Sequence, residues 1–271
     1  MSTTTLALPV GAIRRASRRP ARLTTTAVMI TRSLRHTVRN VDALVMAIVL
    51  PTMLMLLFTF VFGNAIEPGG NYVNYVVPGI ILLCAGFGAS STAVDVAEDM
   101  TNGIIERFRT MPLRAMSVLT GHVVASLVRN LGATAVVIAV ALALGFRPRA
   151  DVVAWLGALG VIALFILAIT WLYAAIGLAA RTVEAASGYG FALLFLPYLS
   201  SAFVPTDTMP TWLRWIAENQ PITPIIETIR GLLTGTDTGA SPFWAIGWSL
   251  LIIVAAYVWG VWLFGRRAGS R

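Results

Sequence analysis

The chain has 271 residues, 57% of them hydrophobic and only 12% charged, and its mean hydropathy is +0.80. Water-soluble domains carry about 25% charged residues, so this composition excludes an ordinary soluble protein. All 20 basic residues are arginine, which excludes a Walker A phosphate loop and lysine-based covalent chemistry within this sequence, because both need the lysine amine.

The N-terminal region, residues 1–41, is rich in arginine and has no acidic residue. Its apolar residues keep helical spacing from Leu23 to Val41, while Arg32 and Arg35 fall on another face. This pattern predicts a cytoplasmic basic arm whose amphipathic helix lies on the inner leaflet, with its arginines toward anionic headgroups. A cleavable transit peptide is the alternative, but the region runs directly into an apolar span without a small-residue cleavage site.

Long apolar stretches occupy most of the remaining sequence. A helix needs roughly 20 apolar residues to cross the hydrocarbon core of a bilayer. Six stretches satisfy this requirement, at about 43–63, 74–94, 126–145, 152–180, 185–204 and 243–264. We therefore predict an all-α integral membrane protein with six transmembrane helices, forming one domain over residues 42–271. No room remains for a soluble catalytic domain.

A charged segment, residues 98–112, separates the second and third spans. Charged side chains are costly in hydrocarbon, so this segment stands in water at one membrane face. As a helix over about 99–112, it has an apolar side and a charged side. The apolar side consists of Ile104, Phe108 and Met111, and the charged side includes Glu106, Arg107 and Arg109. A short amphipathic helix held between two spans is suited to bind a partner protein and to transmit its movement to both spans.

The third span carries Arg129 inside or at the edge of its apolar core. An arginine in a membrane span either extends to the interface or pairs with an acidic side chain. Asp95 and Glu98 end the second span at the same membrane face. We predict that Arg129 reaches the inner interface or forms an intramembrane pair with Asp95 or Glu98.

Residues 205–242 form the longest predicted loop outside the membrane. Its first half is an amphipathic helix that contains Trp212 and Trp215, and tryptophan prefers membrane interfaces. Asn219 and Pro221 follow at the end of this helix, and further prolines divide the loop into short pieces. We predict short re-entrant helices that dip into the outer leaflet between spans five and six. An ordinary surface loop is the alternative, and it suits the Gly-, Thr- and Asp-rich second half better.

The distribution of arginine orients the chain. With the N-terminus in the cytoplasm, fifteen arginines lie in cytoplasmic segments and four lie in outer segments, namely Arg147, Arg149, Arg214 and Arg230. The positive-inside rule therefore predicts a multi-pass protein with both termini in the cytoplasm. This topology explains the net charge of +8, so no nucleic-acid partner is predicted.

The sequence has one cysteine, Cys84, and two histidines, His36 and His122. A single cysteine forms no intrachain disulfide, and these three residues match no recognised metal-ligand spacing. We predict no metal site and a packing role for Cys84 in the second span.

Two groups of residues are similar to motifs of a known transporter family. Between spans two and three they are Glu98, Gly103, Glu106 and Pro112. In the outer loop they are Pro210-Thr211-Trp212-Leu213, Asn219-Gln220-Pro221-Ile222-Thr223 and Glu227-Thr228-Ile229-Arg230-Gly231. With six spans and an arginine-rich N-terminal helix, the chain resembles the ABC-2 type permeases, particularly the daunorubicin-resistance type of multidrug and lipid exporters. The resemblance covers all six spans.

The resemblance implies two permease subunits, copies or paralogues, joined to two cytoplasmic ATPase subunits that carry ATP and Mg, in a bacterial plasma membrane. It implies no cofactor in this chain, and an exit path between two permeases along spans one, two and five. It also implies that the 99–112 helix couples to a groove of the ATPase through Glu98, Asp99, Gly103, Ile104, Glu106, Arg107, Phe108, Arg109 and Pro112. The family's common Gly-Thr-Leu-Glu reads Gly103-Ile104-Ile105-Glu106 here, which leaves the matching groove undefined.

Several kinds of cargo and energy source are compatible with these spans. An apolar path suits an amphiphilic drug or lipid, whereas a polysaccharide, the alternative cargo, would be expected to need a polar and aromatic channel. An ATP-independent secondary transporter is a further alternative, but proton coupling is expected to use acidic residues near mid-bilayer, which the predicted spans do not have. No nucleophile and base are recognisably arranged, so we predict that the chain itself is not an enzyme.

Overall fold

The structure, a computed structural model, describes residues 41–66, 72–102 and 115–269, and over these ranges its regular structure is entirely helical. The helices are α1 (Val41–Leu56), α2 (Tyr72–Thr101), α3 (Ala115–Ala143), α4 (Val152–Ala179), α5 (Val183–Leu193), α6 (Thr211–Asn219), α7 (Ile222–Thr234) and α8 (Ser241–Gly269). α1 continues through a π-helical segment, Leu57–Phe62, and a last turn, Gly63–Ile66. Apart from Val41, the predicted N-terminal arm lies outside the described residues.

Helices long enough to cross a membrane dominate the structure. Among the described residues, five stretches are sufficiently long and apolar, namely Val45–Phe62, Tyr72–Thr101, Leu119–Ala143, Val152–Ala179 and Ser241–Leu263. They correspond to the predicted spans one to four and six, which confirms an all-α membrane fold. Some helices extend beyond the predicted spans: α3 already begins at Ala115.

The fifth predicted span, 185–204, is not one continuous helix. α5 ends at Leu193, and a 3-10 helix follows over Leu196–Leu199. The physical reason is Pro197, because a proline has no N–H and its ring clashes with the carbonyl four residues earlier, here that of Leu193. The prediction of a continuous helix over this range was therefore wrong, and we call residues 183–203 the broken segment.

The broken segment runs antiparallel to the first part of α2. Three close approaches establish this direction, between Gly190 and Ser90, Leu194 and Gly86, and Ala202 and Gly79. At the last of these, a Cβ added to Gly79 would lie 2.7 Å from the Ala202 Cβ and 2.9 Å from the Ala202 backbone. Only glycine fits at this crossing, because the obstacle is main chain that does not rotate away.

α2 is the central helix of the bundle. It packs against α1, α3, α4 and α5, and most of its residues are buried. On α4, a Cβ added to Gly177 would collide with the carbonyl oxygen of Ala93 on α2. Small residues at such crossings let helix backbones approach closely, and the resulting van der Waals contact holds membrane helices together.

We expect Gly177→Ala to destabilise the protein by about 1–3 kcal/mol, because the added methyl group overpacks the crossing of α2 and α4. The control is Gly160→Ala on the same helix, where no atom lies within 4 Å of the added Cβ. Unfolding is followed in detergent with a thiol-reactive dye, because the sole cysteine, Cys84, is buried and reacts when the helices separate. Equal unfolding midpoints for the two variants would contradict this assignment.

Pro51 interrupts the hydrogen bonding of α1. It has no N–H, so the carbonyl of Ala47, four residues earlier, loses its helical partner. The thiol of Cys84 on α2 lies 3.3 Å from this carbonyl oxygen and donates to it. Neighbouring helices commonly satisfy the carbonyls that proline frees in membrane helices. Cys84 therefore completes the hydrogen bonding of α1 as well as filling space.

Candidate functional site

A cavity of about 220 Å³ lies between α1, α2 and α5. Two of these elements are irregular, since α1 contains Pro51 and leads into a π-helical segment, and α5 is the short helix of the broken segment. π-Helical turns in α-helices frequently occur at functional sites. The wall of the cavity is mostly apolar and is formed by Met46, Ala47, Phe87, Ser90, Ser91, Val94, Ser187, Phe191 and Leu194.

Serine hydroxyls supply the polar part of this wall. Ser90 donates to the carbonyl of Phe87 at 2.8 Å, and Ser91 donates to that of Gly88 at 2.9 Å. Because these hydroxyl hydrogens are used within α2, the Ser90 oxygen remains available as an acceptor. The wall therefore fits an amphiphilic molecule with a hydrogen-bond donor.

Arg129 on α3 is buried behind this wall. Its Nη2 donates to the Gly88 carbonyl at 2.9 Å and to Ser91 Oγ at 2.5 Å, and its Nη1 lies 3.8 Å from Asp95 Oδ2. Glu98, the other acid considered from the sequence, is exposed near the end of α2. A charge in a membrane span is costly unless it is paired and hydrogen-bonded, and these contacts provide both.

Further polar contacts join α2 and α3 toward the segment between them. Thr92 Oγ1 donates to Ser126 Oγ at 2.8 Å, and His122 Nε2 lies 3.0 Å from Asp99 Oδ2. His122, Ser126 and Arg129 are spaced by four and three residues, so they share one face of α3. This spacing is visible in the sequence, but the partner of His122 becomes apparent only when the two helices are packed together.

The predicted coupling residues are described only in part. Glu98 is exposed, and Asp99 is buried in the last turn of α2. The others, Gly103, Ile104, Glu106, Arg107, Phe108, Arg109 and Pro112, lie outside the described residues. Their coupling role stays a prediction, while the helix ends that flank them are defined at Thr101 and Ala115.

At the opposite end of the bundle, α6 carries the two tryptophans predicted from the sequence. Trp212 and Trp215 are each 68% exposed. Arg214 Nε donates to Glu218 Oε1 at 2.7 Å, and this hydrogen bond, together with the charge of the carboxylate, raises the pKa of Arg214. An exposed aromatic face beside a charged face is typical of a helix at a membrane interface.

The other two residues of the predicted outer motif lie where α6 ends and α7 begins. Asn219 Nδ2 donates to the carbonyl of Trp215 at 2.8 Å, and Pro221 immediately precedes the first turn of α7. Between them, Gln220 Nε2 donates to the carbonyl of Leu199 at 2.5 Å. This junction therefore connects α6 to the end of the broken segment.

Arg230 on α7 is buried and makes contacts that its sequence motif did not indicate. Its Nη1 donates to Glu227 Oε1 at 2.6 Å, and its Nη2 donates to the carbonyls of Ser201 and Tyr75, at 2.7 and 3.2 Å. The guanidinium also lies 3.8 Å from the centre of the Tyr75 ring. We call these four residues the Arg230 clasp, because they join α7, the start of α2 and the end of the broken segment.

Three stacked rings lie beside the clasp. Phe203, from the end of the broken segment, stacks on Phe58 of the π-helical segment with ring centres 4.2 Å apart. Tyr198 stacks on Phe203 at 5.2 Å. Along both elements the stack lies further toward this end of the bundle than the cavity residues Ala47 and Leu194.

Comparison with known proteins identifies the family. A model of the ABC-2 type transporter family matches residues 24–234, well over half of the chain. The chain is 28% identical over 264 residues to the daunorubicin resistance ABC transporter permease protein DrrB1 of Streptomyces coeruleorubidus, covering 94% of this chain and 90% of that protein. It is 25% identical over 229 residues to the probable doxorubicin resistance ABC transporter permease protein DrrC of Mycobacterium tuberculosis (strain CDC 1551 / Oshkosh), covering 84% and 83% of the two chains. With its apolar helices and its motifs, the chain therefore belongs to the ABC-2 type transporter family, as a membrane-embedded permease subunit.

Proposed function

We propose that this permease exports an amphiphilic drug-like or lipid-like molecule from the cytoplasm or the inner leaflet, driven by separate ATPase subunits. The observation that carries the proposal is the cavity between α1, α2 and α5, in a chain that belongs to the ABC-2 type transporter family. Two of its relatives are a daunorubicin resistance permease and a probable doxorubicin resistance permease, which supports a drug as the cargo.

The chemistry of the cavity supports an amphiphilic cargo. Apolar side chains such as Phe87 and Phe191 dominate its wall, and the serine hydroxyls provide a few acceptors. Ligand sites of this kind bind by apolar burial, while a small number of polar groups orients the ligand. A polysaccharide carries hydroxyls on every face and would find few partners here, so polysaccharide export is the less favoured alternative.

A second permease subunit, a copy or a paralogue, would complete the site. The volume of about 220 Å³ is below the roughly 300–1,000 Å³ typical of sites for drug-sized ligands. Met46 and Phe191 line the cavity and are nevertheless 63% and 58% exposed, so the wall continues onto the surface of the bundle. A subunit set against this surface would enlarge and close the site, with the exit path between the two subunits.

ABC-2 type permeases work with ABC ATPase subunits. We propose two such subunits, each carrying ATP and Mg, which contact the coupling segment at residues 99–112. The absence of lysine from this sequence supports a separate nucleotide-binding chain. Closure of the ATPase pair on ATP would displace the coupling segment and tilt α2 and α3, and the cargo would shift this equilibrium by its differential affinity for the two states.

We further propose six membrane crossings in a bacterial plasma membrane, with the broken segment as the fifth crossing and both termini in the cytoplasm. Contacts between predicted outer ends support this topology. They are Tyr72 Oη to the Phe203 carbonyl at 2.6 Å, Arg147 N to Asn74 Oδ1 at 3.0 Å, and Arg149 N to the Leu233 carbonyl at 2.9 Å. Trp212 and Trp215 would then lie in the outer-leaflet interface.

A cysteine at residue 240 tests this topology. Ala240 is exposed in the loop before α8, and the buried Cys84 gives little background reaction. We expect Ala240→Cys to react with a membrane-impermeant maleimide added to intact cells, because its loop lies outside. Mass spectrometry of the purified protein measures the reaction. Modification only after cell lysis would reverse the proposed orientation.

Replacing Glu106 and Arg109 together by alanine tests the coupling segment. We expect Glu106→Ala with Arg109→Ala to leave membrane insertion intact and to abolish cargo-stimulated ATP turnover, because the sequence predicts both charges on one polar face of the coupling helix, which we propose contacts the ATPase. ATP turnover of the purified complex, with and without daunorubicin, provides the measurement. Normal stimulation in this variant would remove the coupling role from this face.

The proposed function as a whole is tested by purifying the chain with its ATPase and reconstituting the complex in lipid vesicles. We expect ATP-dependent uptake of daunorubicin or of a short-chain fluorescent phospholipid into vesicles whose ATPase faces outward. Deleting residues 103–111 should release the ATPase. If the intact complex moves neither probe, or if no ATPase binds the permease, the proposal fails.

A further inference from the structure

The two helices that lead into and out of the coupling segment are joined by a hydrogen bond to the first residue of that segment, Asp99. His122 Nε2 lies 3.0 Å from Asp99 Oδ2. Because a carboxylate only accepts hydrogen bonds, the imidazole donates from Nε2. The two side chains are only 14% and 12% exposed. Asp99 lies in the last turn of α2, and His122 lies two turns into α3. The bond therefore connects the end of α2 to the first part of α3, on either side of the coupling segment.

Among the described residues, the other polar contacts between these helices lie further from the coupling segment. They include Thr92 to Ser126 at 2.8 Å, Asp95 to Arg129 at 3.8 Å, and the hydrogen bonds from Arg129 to Gly88 and Ser91. Within the described residues, apolar side chains including Val96, Leu119 and Val123 pack around the same region. Apolar packing is not directional, so it allows one helix to slide along the other. A hydrogen bond between two defined atoms instead fixes one relative position of the two helices.

Net stabilisation does not explain why polar residues are found here. A partly buried hydrogen-bonded pair contributes little more to stability than a well-packed apolar pair of similar volume. Its distinctive property is directional, because the bond is strong only while the two atoms keep their separation and angle. This property matters at a point where a partner protein applies force.

We propose that Asp99 and His122 are positioning residues for energy coupling. The bond holds the end of α2 and the beginning of α3 as one unit, so a displacement of the coupling segment moves both helices together. On α2, Val94 and Ser91 of the cavity wall lie only about 8–12 Å along the helix from Asp99, so the displacement reaches the cavity. This inference rests on the proposed function of the coupling segment as the ATPase contact.

The experiment measures daunorubicin transported per ATP hydrolysed in vesicles that contain the permease and its ATPase. We expect Asp99→Ala and His122→Ala to lower this ratio about fivefold or more, the lower end of typical coupling effects. In the His122→Ala variant, whose substituted residue lies outside the coupling segment, the ATPase stays bound and still hydrolyses ATP. A purely structural role would reduce transport and ATP turnover together. Glu218→Ala, which removes the ion pair with Arg214 at the other end of the bundle, is the control and should leave the ratio unchanged.

The exchange variant Asp99→His with His122→Asp restores a bond between the same positions with donor and acceptor reversed. We expect it to recover at least half of the transport per ATP. An unchanged ratio in both alanine variants, or an exchange variant that assembles but stays uncoupled, would overturn the proposal. If an alanine variant does not assemble, Asp99→Leu and His122→Leu, which fill the space with apolar side chains that form no hydrogen bond, replace it. Failure of the proposed function is distinct, since the unmodified complex would then show no ATP-driven transport.

Discussion

Arg129→Gln is expected to reduce ATP-driven transport about tenfold or more. The guanidinium of Arg129 orients Ser91 in the cavity wall and lies 3.8 Å from the carboxylate of Asp95. Removing one partner of a buried ion pair costs about 3–5 kcal/mol, and a tenfold effect needs only about 1.4 kcal/mol. Asp95 keeps 16% of its side chain exposed, so some of this cost is relieved by water. Transport of daunorubicin into vesicles, normalised to the amount of folded permease, gives the measurement.

Two further variants separate the charge of Arg129 from its hydrogen bonds. Arg129→Lys keeps the charge but lacks the planar guanidinium that reaches both Gly88 and Ser91. We therefore expect its transport rate to lie between the rate of the glutamine variant and the rate of the unmodified protein. Asp95→Asn with Arg129→Gln removes both charges and should assemble better than either single variant, although Ser91 still lacks its donor. Transport by Arg129→Gln within twofold of the unmodified protein would show that the pair has no part in export.

Arg230→Met is expected to give the largest loss of stability among single substitutions at the end of the bundle that carries α6 and α7. The side chain satisfies the carboxylate of Glu227 and two backbone carbonyls, and it is 8% exposed. The Ser201 carbonyl keeps the Tyr75 hydroxyl as a donor at 2.9 Å, so the cost is mainly the loss of the hydrogen bonds that the guanidinium makes. Hydrogen bonds to a charged group contribute about 1.5–3 kcal/mol each, so we expect a loss of about 3 kcal/mol or more. The clasp also holds the broken segment, whose interrupted helix has fewer internal hydrogen bonds than a continuous one. Reaction of Cys84 with a thiol-reactive dye on heating reports the unfolding midpoint.

The matched control for the clasp is Arg214→Met on α6. Arg214 also pairs with a glutamate, at 2.7 Å, but its side chain is 48% exposed. Exposed ion pairs contribute about 0–1 kcal/mol, so this variant should unfold near the midpoint of the unmodified protein. Similar midpoints for the two methionine variants would show that the carbonyl contacts of Arg230 contribute little.

The membrane class and most of the spans could be predicted because both depend on local sequence. A run of about 20 apolar residues forms a helix across a bilayer whatever its neighbours are, since no other arrangement satisfies its backbone there. The fifth predicted span shows the limit of this rule. Its composition is mostly apolar, yet Pro197 ends the regular helix, and a mean hydropathy over the segment does not detect one missing N–H.

Residues of the candidate site could be predicted only where a side chain needs a partner within the membrane. A charge within an apolar span must find a partner, so the sequence alone indicates an acidic partner for Arg129, with Asp95 as a candidate. Ser91 and His122 carry no such requirement, because a serine in a membrane helix is satisfied by its own backbone and a histidine near an interface can be satisfied by water. Their roles depend on which residue of another helix faces them.

The sequence by itself determined that this chain is an all-helical membrane permease, through its apolar runs and its family motifs. Only the tertiary structure decided that a cavity forms between α1, α2 and α5, that Asp99 meets His122, and that Arg230 holds the broken segment. The physical reason is the range of the interactions. Burial in lipid acts on each segment separately, whereas a cavity or a hydrogen bond between helices requires atoms distant in sequence to be packed within a few ångströms of each other.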